Sequence, residues 1–375
     1  MEHSTRILRD FGYADAFQGS IEHVLHGIGK SYSCASLAVG RGESVFFTLH
    51  AGNRQDYSGK IFENQDPLPV TEHTLYDMAS VSKLITTMVA LRLIENGYIS
   101  IYDSIGRFID DCGNFTGVEL RHLMTHTSGI APHIPLYRVC ASPGEAIHTI
   151  LHSEPVCAVG EEVNYSCMGY IVLRHIIETV TGETLDSLAS RLVFDPLSMK
   201  TACYNPLGHG FTDVAATEYS PLGHYYICGH VHDENAHFLG GVSGNAGVFA
   251  SLDDMVSFAG MLSMRGRSSC GVYLGRHIFN AAIHNYTPGL SEGRGLGFSI
   301  HAGELSASGE LMSHDSYGHN GYTGTSVYVD GRTGVYVVYL TNSVHYGRDN
   351  RGSFFRARRI LHNIALAEAD RVIDE

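Results

Sequence analysis

The chain has 375 residues, of which 44% are hydrophobic and 17% are charged. Its 25 basic and 39 acidic residues give a formal net charge of −14, which argues against a nucleic-acid partner and against binding to an anionic membrane surface. No apolar run approaches the ~18 residues that a transmembrane helix needs, so the sequence predicts no membrane span. The length suits one large domain or two lobes around a substantial core.

The N-terminal segment and the cysteines both bear on the compartment of the protein. Residues 1–17 contain no uninterrupted apolar stretch behind a basic region, so no secretory signal is visible. We expect a cytoplasmic location, or an extracellular one if a signal has been removed. The cysteines show no C-x-x-C spacing, which favours free buried thiols and a reducing compartment. They are Cys34, Cys112, Cys140, Cys157, Cys167, Cys203, Cys228 and Cys270.

In chain order, the first predicted element is a β-hairpin over residues 36–51, where two apolar runs flank the turn sequence GRGE. A helix that is apolar on almost all sides follows at 81–96 and ends at Gly97, which predicts that it is buried. Another helix is expected from Ser166 to about Val180, before Gly182.

The later elements are a helix, a second hairpin and a terminal helix. The first of these helices begins at Ser251, which precedes two aspartates and is a typical N-cap. Segments 325–330 and 335–341 predict a hairpin around GRTG, and a final helix starts near Ser353. The apolar stripe of that helix comprises Phe354, Ala357, Ile360, Leu361, Ile364 and Ala367.

Strands near both ends of the chain and helices between them predict an α+β fold. We expect one domain over residues 20–370, with an antiparallel sheet that is built from both termini and flanked by helices. Its sheet lobe would comprise residues 1–75 and 290–375, and an inserted, mostly helical lobe would comprise residues 76–289.

The clearest chemical motif is Ser80-Val81-Ser82-Lys83. A spacing of three residues is about one helical turn, so Ser80 and Lys83 would share a face at the start of the apolar helix. The spacing alone also fits a structural serine beside a snorkelling lysine. A lysine can activate a serine as its base if the lysine pKa falls. Burial and the positive potential of a helix N-terminus both disfavour the ammonium, so we expect a lowered pKa for Lys83.

The context of this motif, ASVSKLITTMVALRLIENGYISIYDSI, resembles the nucleophile segment of the serine β-lactamase and penicillin-binding-protein superfamily, in particular class C enzymes and their esterase relatives. The resemblance covers roughly residues 20–365 and implies a β-lactamase/transpeptidase-like fold. Five further segments resemble the superfamily in the same order. They are LMTHTSGI (123–130), NYSCMGY (164–170), VFDPLSM (193–199), GGVSGNAGVFAS (240–251) and GHNGYTGT (318–325).

The resemblance implies a role for each matching residue. Ser80 would be the acylated nucleophile and Lys83 its partner in proton transfer. Tyr165 would help to deprotonate Ser80 and later activate the deacylating water. His319-Asn320-Gly321 would form the third motif on a strand at the cleft edge, and the backbone N–H groups of Ser80 and Tyr322 would stabilise the oxyanion. Taken without the resemblance, Tyr165 and His319 would each be interpreted as packing residues.

Two residues depart from the superfamily pattern. Cys167 replaces the asparagine of the second motif, and a thiol is a weaker hydrogen-bond donor than an amide. His319 replaces a lysine, which weakens the fixed positive charge that would meet a substrate carboxylate. Both changes favour an esterase, amidase or peptidase over an efficient β-lactamase. They predict that small neutral esters are better substrates than carboxylate-bearing β-lactams.

Two other patterns offer rival chemistry. The segment 289–293, GLSEG, has the spacing of a nucleophile elbow around Ser291, but Pro288 precedes it and no helix follows, so we expect a glycine-rich loop.

The second pattern is segment 228–237, which is rich in residue types that bind metals. Two of its histidines, His230 and His232, would share a face if the segment were a strand. We favour a loop beside the cleft, with turns capped by Asp233 and Asn235 and no metal. The ligand types are Cys228, His230, His232, Asp233 and His237.

The sequence therefore predicts a serine hydrolase that cleaves amide or ester bonds through an acyl-enzyme and needs no cofactor. Its substrate would be a small molecule or a peptide-like compound, with specificity set by segments 131–165 and 205–240. Two alternatives stay open: a D,D-peptidase or amidase acting on cell-wall peptide fragments, and a penicillin-binding sensor that is acylated without turnover. The sequence does not determine the oligomeric state.

Overall fold

The computed structural model describes residues 6–57, 66–220, 224–301, 306–349 and 351–373. Within these ranges the strands are β1 (Arg6–Asp10), β2 (Cys34–Arg41), β3 (Ser44–Gln55), β4 (Leu68–Pro69), β5 (Tyr76–Asp77), β6 (Cys203–Tyr204), β7 (Tyr219–Ser220), β8 (Tyr225–Tyr226), β9 (Val248–Ala250), β10 (Arg267–Ser268), β11 (Gly271–Val272), β12 (Gly293–Arg294), β13 (Ser299–Ile300), β14 (Tyr317–Asn320), β15 (Ser326–Val329) and β16 (Val335–Thr341).

The α-helices of the same ranges are α1 (Gln18–Gly27), α2 (Ser82–Glu95), α3 (Leu120–Met124), α4 (Leu136–Val139), α5 (Ala146–Leu151), α6 (Cys167–Thr181), α7 (Leu185–Ala189), α8 (Glu234–Phe238), α9 (Leu252–Ser263), α10 (Arg276–Ala282) and α11 (Arg351–Ile373). Short 3₁₀ helices lie at Ala14–Phe17, Ala79–Val81, Ile105–Arg107, Gly113–Phe115, Pro143–Glu145 and Pro206–His209, and a π-helical turn lies at Ser190–Phe194.

The main sheet joins the two ends of the chain and has nine strands among the described residues. Its order is β1-β3-β2-β16-β15-β14-β13-β12, with β4 paired to β3, and every neighbouring pair is antiparallel. The last strand, β16, lies between β2 and β15, where its Val337 is opposite Val39 and its Val338 is opposite Val327. A C-terminal strand therefore completes the N-terminal hairpin.

The alternation of side chains along β16 divides the core between the two faces of the sheet. Val335, Val337 and Tyr339 belong to one apolar cluster, which α1 and α11 cover. Tyr336 and Val338 belong to a second and larger cluster, which contains α2, α6 and α9. All five side chains are buried, which explains why β16 carries apolar or aromatic residues from Val335 to Leu340 instead of alternating with polar residues.

Helix α2 lies inside the larger cluster and follows directly after the nucleophile turn. Its Lys83 has 0% exposure, so the charged side chain is as deeply buried as the apolar ones around it. Two hydrogen bonds fix the start of the helix. The Thr86 hydroxyl donates to the Gly244 carbonyl at 2.9 Å, and the Val248 N–H donates to Ser82 Oγ at 3.1 Å.

Most predicted elements are confirmed, with small shifts of their ends. The first hairpin consists of β2 and β3, which turn through Gly42 with φ +58°, and the second consists of β15 and β16. Helix α6 ends at Gly182 in the left-handed conformation with φ +69°. Ser251 caps α9 through reciprocal hydrogen bonds with Asp254, as its position before two aspartates predicts.

The final helix differs from the prediction in its buried face. It begins at Arg351, and its buried side chains include Phe354, Arg358 and Leu361, whereas Ala367 of the predicted stripe is exposed. The predicted stripe holds at Phe354 and Leu361, which are buried, and at the half-buried Ala357, Ile360 and Ile364, and it is wrong at Ala367. It also missed Arg358, because hydropathy assigns an arginine to solvent, whereas this arginine lines a cleft.

Helices on both faces of an antiparallel sheet make this an α+β fold, as predicted. The segment 76–289 holds α2 to α10 together with the short strands β5 to β11, so it is helical for the most part but not throughout. The lobe boundaries stay predictions. Among the described residues, no helix has both the length and the apolar character to cross a membrane. All eight cysteines are free thiols.

Candidate active site

Ser80 lies in a 3₁₀ turn whose backbone is strained. The preceding residue, Ala79, has φ +45°, a left-handed conformation that costs a non-glycine residue ~1–2 kcal/mol. The buried carboxylate of Asp77 holds this turn, because its Oδ1 accepts the Ala79 N–H at 2.8 Å and its Oδ2 accepts the His232 N–H at 2.7 Å. Such strain persists only where the surroundings fix it, and it is typical of functional sites.

The Lys83 ammonium contacts three acceptors at the start of α2. Its Nζ donates to Ser80 Oγ at 3.1 Å, to the Asn245 carbonyl at 3.2 Å and to Cys167 Sγ at 3.5 Å. The structure thus brings together the serine, the lysine and the cysteine that the sequence motifs predict. It adds a carbonyl from the segment before β9 that sequence reasoning did not assign.

The pKa of Lys83 is raised, whereas the sequence predicted that it would be lowered. Burial alone lowers this pKa, because an apolar interior disfavours the ammonium. The acidic groups of Cys167 and Tyr165 lie close enough to outweigh burial. The prediction was wrong because it counted only the charges along α2, while these two groups belong to another segment. The ammonium form of Lys83 is therefore favoured while Cys167 or Tyr165 carries a negative charge.

The ring of Tyr165 lies between cations and histidines. Lys83 Nζ lies 4.8 Å and Arg294 Cζ 5.3 Å from the ring centroid. The ring centroids of His126 and His319 lie at 4.4 Å and 5.9 Å. The Tyr165 hydroxyl is buried and has no hydrogen-bond partner within the described residues. Since an unpaired buried hydroxyl costs ~1–3 kcal/mol, this oxygen is poised for a proton or a substrate atom.

Two buried histidines beside Tyr165 present opposite hydrogen-bonding groups. His319 Nδ1 donates to the Asn320 carbonyl at 2.8 Å, which leaves its Nε2 as an acceptor. His126 Nδ1 accepts the Ser166 N–H at 3.1 Å, which leaves its Nε2–H as a donor. Neither Nε2 atom has a partner in the described ranges. Burial, aided by nearby positive charges, lowers the pKa of both rings well below the usual value, so both are neutral.

Hydrogen bonds join the third motif to the nucleophile turn. The Thr323 hydroxyl donates to the Asp77 carbonyl at 2.7 Å. The Thr325 hydroxyl donates to the Met78 carbonyl at 3.0 Å. Gly321 approaches so closely that a Cβ there would lie 2.6 Å from the Met78 carbonyl oxygen. The distance between the end of β14 and the nucleophile turn is thereby fixed, which a pair of backbone oxyanion donors requires.

A cleft of about 800 Å³ lies between Ser80 and helix α11. Tyr165 and the whole third motif line it, together with four charged side chains: Glu292, Arg294, Arg358 and Arg359. Arg294 pairs with Glu292, and Arg359 Nε lies 3.4 Å from a carboxylate oxygen of Glu310 outside the cleft lining. The lining keeps a surplus of positive charge. His319 adds no charge to the cleft, in line with its replacement of a lysine, but the three arginines supply positive charge that the sequence did not indicate, because they come from distant segments.

The Tyr322 side chain, 40% exposed at the cleft rim, lies between an imidazole and a guanidinium. The His232 ring stacks on it at 5.8 Å, and Arg348 Cζ lies 5.7 Å from its centroid. Glu218 accepts from both flanking residues, at 3.0 Å from His232 Nε2 and 2.7 Å from Arg348. Burial raises the pKa of Glu218, but these hydrogen bonds outweigh it and lower the pKa to about 2. We name Glu218, His232 and Arg348 the rim clamp.

The segment 228–237 ends in a short helix, α8, where a loop was predicted. Asp233 caps it by accepting the Ala236 N–H at 2.7 Å, which confirms the predicted cap. The predicted cap at Asn235 is wrong, because this residue lies inside the helix and its amide donates to the Ile134 carbonyl at 2.8 Å. The metal-ligand types of this segment do not converge on one point among the described residues, since His232 binds Glu218 instead.

Ser291 of the rejected elbow pattern lines the same cleft as Ser80 and is exposed. A short strand, β12, follows it where a nucleophile elbow would need a helix. The predicted glycine-rich loop is confirmed as far as Glu292, while Gly293 and Arg294 pair with β13. This strand places Arg294 beside Tyr165.

Comparison with known proteins gives a consistent result. The family model described as Beta-lactamase matches residues 21–361. The chain belongs to the β-lactamase family. An Escherichia coli (strain K12) protein named as a candidate D-alanyl-D-alanine carboxypeptidase is 28% identical over 349 residues, which is 84% of this chain and 79% of that protein. As a member of the β-lactamase family, the protein is a serine hydrolase of the predicted superfamily.

Two solved structures share the fold. EstCE1, described as a hydrolase with promiscuous acyltransferase activity, has a TM-score of 0.72 at 18% identity and covers 94% of this chain and 98% of its own. The octameric penicillin-binding protein homologue from Pyrococcus abyssi has a TM-score of 0.70 at 19% identity and covers 94% of this chain and 77% of its own. Their similarity confirms the α+β architecture of this β-lactamase-family protein.

Four of the site residues that sequence reasoning missed differ in the signal that the sequence carried for them. His126 had a signal, because it lies in the quoted segment LMTHTSGI, and so did Arg358, which interrupts an apolar helix stripe. Asp77 precedes Ser80 by three residues without any recognisable pattern. Arg294 reaches the cleft through β12, a two-residue strand that no periodicity indicates.

Proposed function

We propose that Ser80 is the nucleophile of an acyl-enzyme hydrolase. The observation that carries this proposal is the 3.1 Å contact between Lys83 Nζ and Ser80 Oγ, at the floor of a cleft that Tyr165 also lines. A positive donor at this distance stabilises the serine alkoxide that attacks the scissile carbonyl. The strained turn at Ala79 holds the serine in position before the substrate binds.

Tyr165 is the proton acceptor in this proposal. In the reacting form of the site Tyr165 is deprotonated, and beside this negative charge Lys83 is an ammonium that cannot take the proton of Ser80. Tyr165 takes that proton and then returns it to the leaving group, while Lys83 and Arg294, 4.8 Å and 5.3 Å from its ring centroid, offset the phenolate charge. In deacylation it takes a proton from the attacking water, and the oxygen of Ser80 recovers that proton when the acyl group departs.

The backbone N–H groups of Ser80 and Tyr322 stabilise the oxyanion. The close approach of Gly321 to the Met78 carbonyl and the Thr323 and Thr325 hydroxyl bonds support this pairing, because they fix the two segments relative to each other. Each donor of this kind contributes ~3–4 kcal/mol to the transition state.

The substrate carries a carboxylate close to the scissile amide or ester bond, as a D-alanyl peptide does. The arginines at positions 294, 358 and 359 support this, because a guanidinium pairs with a carboxylate through parallel hydrogen bonds. The name of the Escherichia coli relative agrees with the same substrate class. A small neutral ester is the second candidate, which Cys167 favours because a thiol holds a peptide-like acyl group poorly.

Covalent labelling tests the nucleophile. A fluorophosphonate should label the peptide that contains Ser80, and Ser80→Ala should lose both the label and the turnover. Ser291→Ala is the matched control, because Ser291 lines the same cleft without a lysine partner, and it should keep both. Labelling that survives in Ser80→Ala would overturn the assignment. A single burst with no further turnover of any substrate would favour the non-hydrolysing sensor.

A pair of esters tests the substrate. Both carry the same acyl group, and the leaving group is a 2-hydroxy acid in one and the methyl ester of that acid in the other. We expect kcat/KM to favour the acid by about 10- to 100-fold, the value of a charge-assisted hydrogen bond. Arg294→Gln should reduce this ratio. Equal rates for the two esters in the wild type would support the neutral-ester candidate instead.

A further inference from the structure

Asp111, His148 and His152 form a cluster of metal-ligand side chains that the hydrolase mechanism does not use. One donor atom from each residue lies within 4.8 Å of the other two. The histidines are four residues apart at the end of α5 and therefore share a face, with ring centroids 3.9 Å apart and an interplanar angle of 17°. Within the described ranges, no other group of three histidine, cysteine, aspartate or glutamate residues converges in this way.

The imidazole of His152 is held in the tautomer that a metal ligand needs. Its Nδ1 lies 2.9 Å from the His148 carbonyl, which can only accept, so Nδ1 carries the proton. The lone pair is left on Nε2, which lies 3.4 Å from Asp111 Oδ1. Ligating histidines commonly donate their other N–H to a backbone carbonyl in this manner, because the bond fixes the ring and its tautomer.

The loop that carries Asp111 is held against the end of α5. Gly113 has φ +48°, and a Cβ there would lie 2.2 Å from the Leu151 carbonyl oxygen, so only glycine permits this approach. The Asn114 amide donates to the Ser153 carbonyl at 3.0 Å, directly after His152. Asp111 Oδ1 also accepts the Gly113 N–H at 3.2 Å, so these contacts and the carboxylate's own hydrogen bond fix it next to the two imidazoles.

We propose that Asp111, His148 and His152 bind a divalent transition-metal ion, with Zn²⁺ as the best-fitting ion. Two imidazole nitrogens and one carboxylate oxygen are ligands that Zn²⁺ prefers, and water would complete the tetrahedron. Bonds of ~2.0–2.1 Å place the donors of such a tetrahedron ~3.3 Å apart. All three side chains are exposed, so small torsional changes can close the group around the ion.

The ion would link the loop around the 3₁₀ helix Gly113–Phe115 to α5, a part of the chain that contains none of the proposed catalytic residues. Its role is therefore structural, and its presence should raise the thermal stability of the protein without being needed for ester hydrolysis. The high net negative charge of the chain, −14, favours cation binding in general.

The test uses the tag-free full-length chain and Zn²⁺ alone as the probe. Isothermal titration should give one ion per chain, and Zn²⁺ at about 100 times its Kd should raise Tm by several degrees. His148→Ala and the conservative Asp111→Asn should each raise Kd by at least about tenfold while leaving the metal-free Tm and the ester turnover unchanged. The matched control is His209→Ala. His209 is also an exposed histidine, but it lies on the 3₁₀ helix Pro206–His209, away from the cluster, so this variant should bind Zn²⁺ normally.

His230→Ala separates this site from the cysteine- and histidine-rich segment. Binding lost in His230→Ala but kept in His148→Ala would overturn the proposal. The proposal would also be overturned if Asp111→Asn and His148→Ala, as separate variants, both bound Zn²⁺ as tightly as the wild type. Absence of Zn²⁺ binding to the wild type would overturn it as well. With Co²⁺ as the ion, visible bands without a thiolate charge-transfer band would support nitrogen and oxygen ligation, whereas a thiolate band would overturn it.

Discussion

Replacing Gly321 by alanine perturbs the distance between the third motif and the nucleophile turn. The added Cβ would lie 2.1 Å from Thr325 Oγ1 and 2.6 Å from the Met78 carbonyl oxygen. The hydroxyl can rotate away, but the carbonyl belongs to the backbone two residues before Ser80 and cannot. An ordinary van der Waals contact begins at 3.4 Å, so the distance from the new Cβ to the Met78 oxygen must grow from 2.6 to 3.4 Å. The third motif and the nucleophile turn must therefore move apart by about 0.8 Å.

The expected loss follows from that displacement. A reacting group misplaced by ~1 Å costs roughly 10²-fold in rate, and the loss of one oxyanion donor costs roughly 10²–10³. We therefore expect kcat/KM of Gly321→Ala to fall by about 10²- to 10³-fold, mostly through kcat, because the backbone donors act on the transition state more than on bound substrate.

Steady-state hydrolysis of a chromogenic ester measures the effect, with Tm as the check that the variant is folded. Gly117→Ala is the matched control, since a Cβ there would have no atom within 4 Å, and it should keep the wild-type rate. A folded Gly321→Ala protein with a rate within about threefold of wild type would refute the assigned oxyanion pair.

Three further predictions concern a thiol, the rim clamp and a buried histidine. Iodoacetamide should inactivate the wild type by alkylating Cys167 beside Lys83, while Cys167→Ser resists and modification of the exposed Cys270 has no effect on turnover. Glu218→Gln should raise KM by about tenfold with little change in kcat, because it loosens the contacts on the Tyr322 ring. His362 is buried, and burial lowers its pKa from 6.5 to about 3. It stays neutral when folded and binds a proton when unfolded below pH 6.5, so it should remove about 2 kcal/mol from the free energy of unfolding between pH 7 and pH 5. Urea denaturation should show that His362→Gln lacks this part of the pH dependence.

Each of these predictions has a result that contradicts it. Inactivation of Cys167→Ser by iodoacetamide at the wild-type rate would show that another cysteine is the sensitive thiol. An unchanged KM in Glu218→Gln would mean that the rim clamp does not affect substrate binding. The same loss of stability between pH 7 and pH 5 in wild type and His362→Gln would assign the acid sensitivity to other buried histidines, such as His50, whose pKa burial lowers to about 4.

Short-range patterns predicted the elements of this fold well because each depends on local rules. The buried α2 follows from an apolar run with a glycine stop, and the α9 start follows from the Ser251 side chain and its N-terminal acids. The pairing of β16 with β2 joins segments some 300 residues apart, and the sequence indicated only that both ends of the chain form strands.

The candidate site divides in the same way. The motif spacing predicted that Ser80 and Lys83 would meet, since both lie on one helical turn. The protonation state of Lys83 was not predictable from α2, because it depends on Cys167 and Tyr165 in another segment. The positive charge of the cleft likewise depends on how a two-residue strand and a C-terminal helix are placed, which no local pattern specifies.

The position of β16 in the middle of the sheet also constrains the order of events during synthesis. The hairpin of β2 and β3 leaves the ribosome early, yet the edge of β2 that receives β16 cannot be paired until almost the whole chain has been translated. For that period an apolar strand edge is exposed and open to pairing with another chain. Contacts of such long sequence separation also slow folding. We therefore expect a chain that is truncated before Val335 to aggregate rather than to fold partly, and we expect chaperones to bind the nascent N-terminal hairpin.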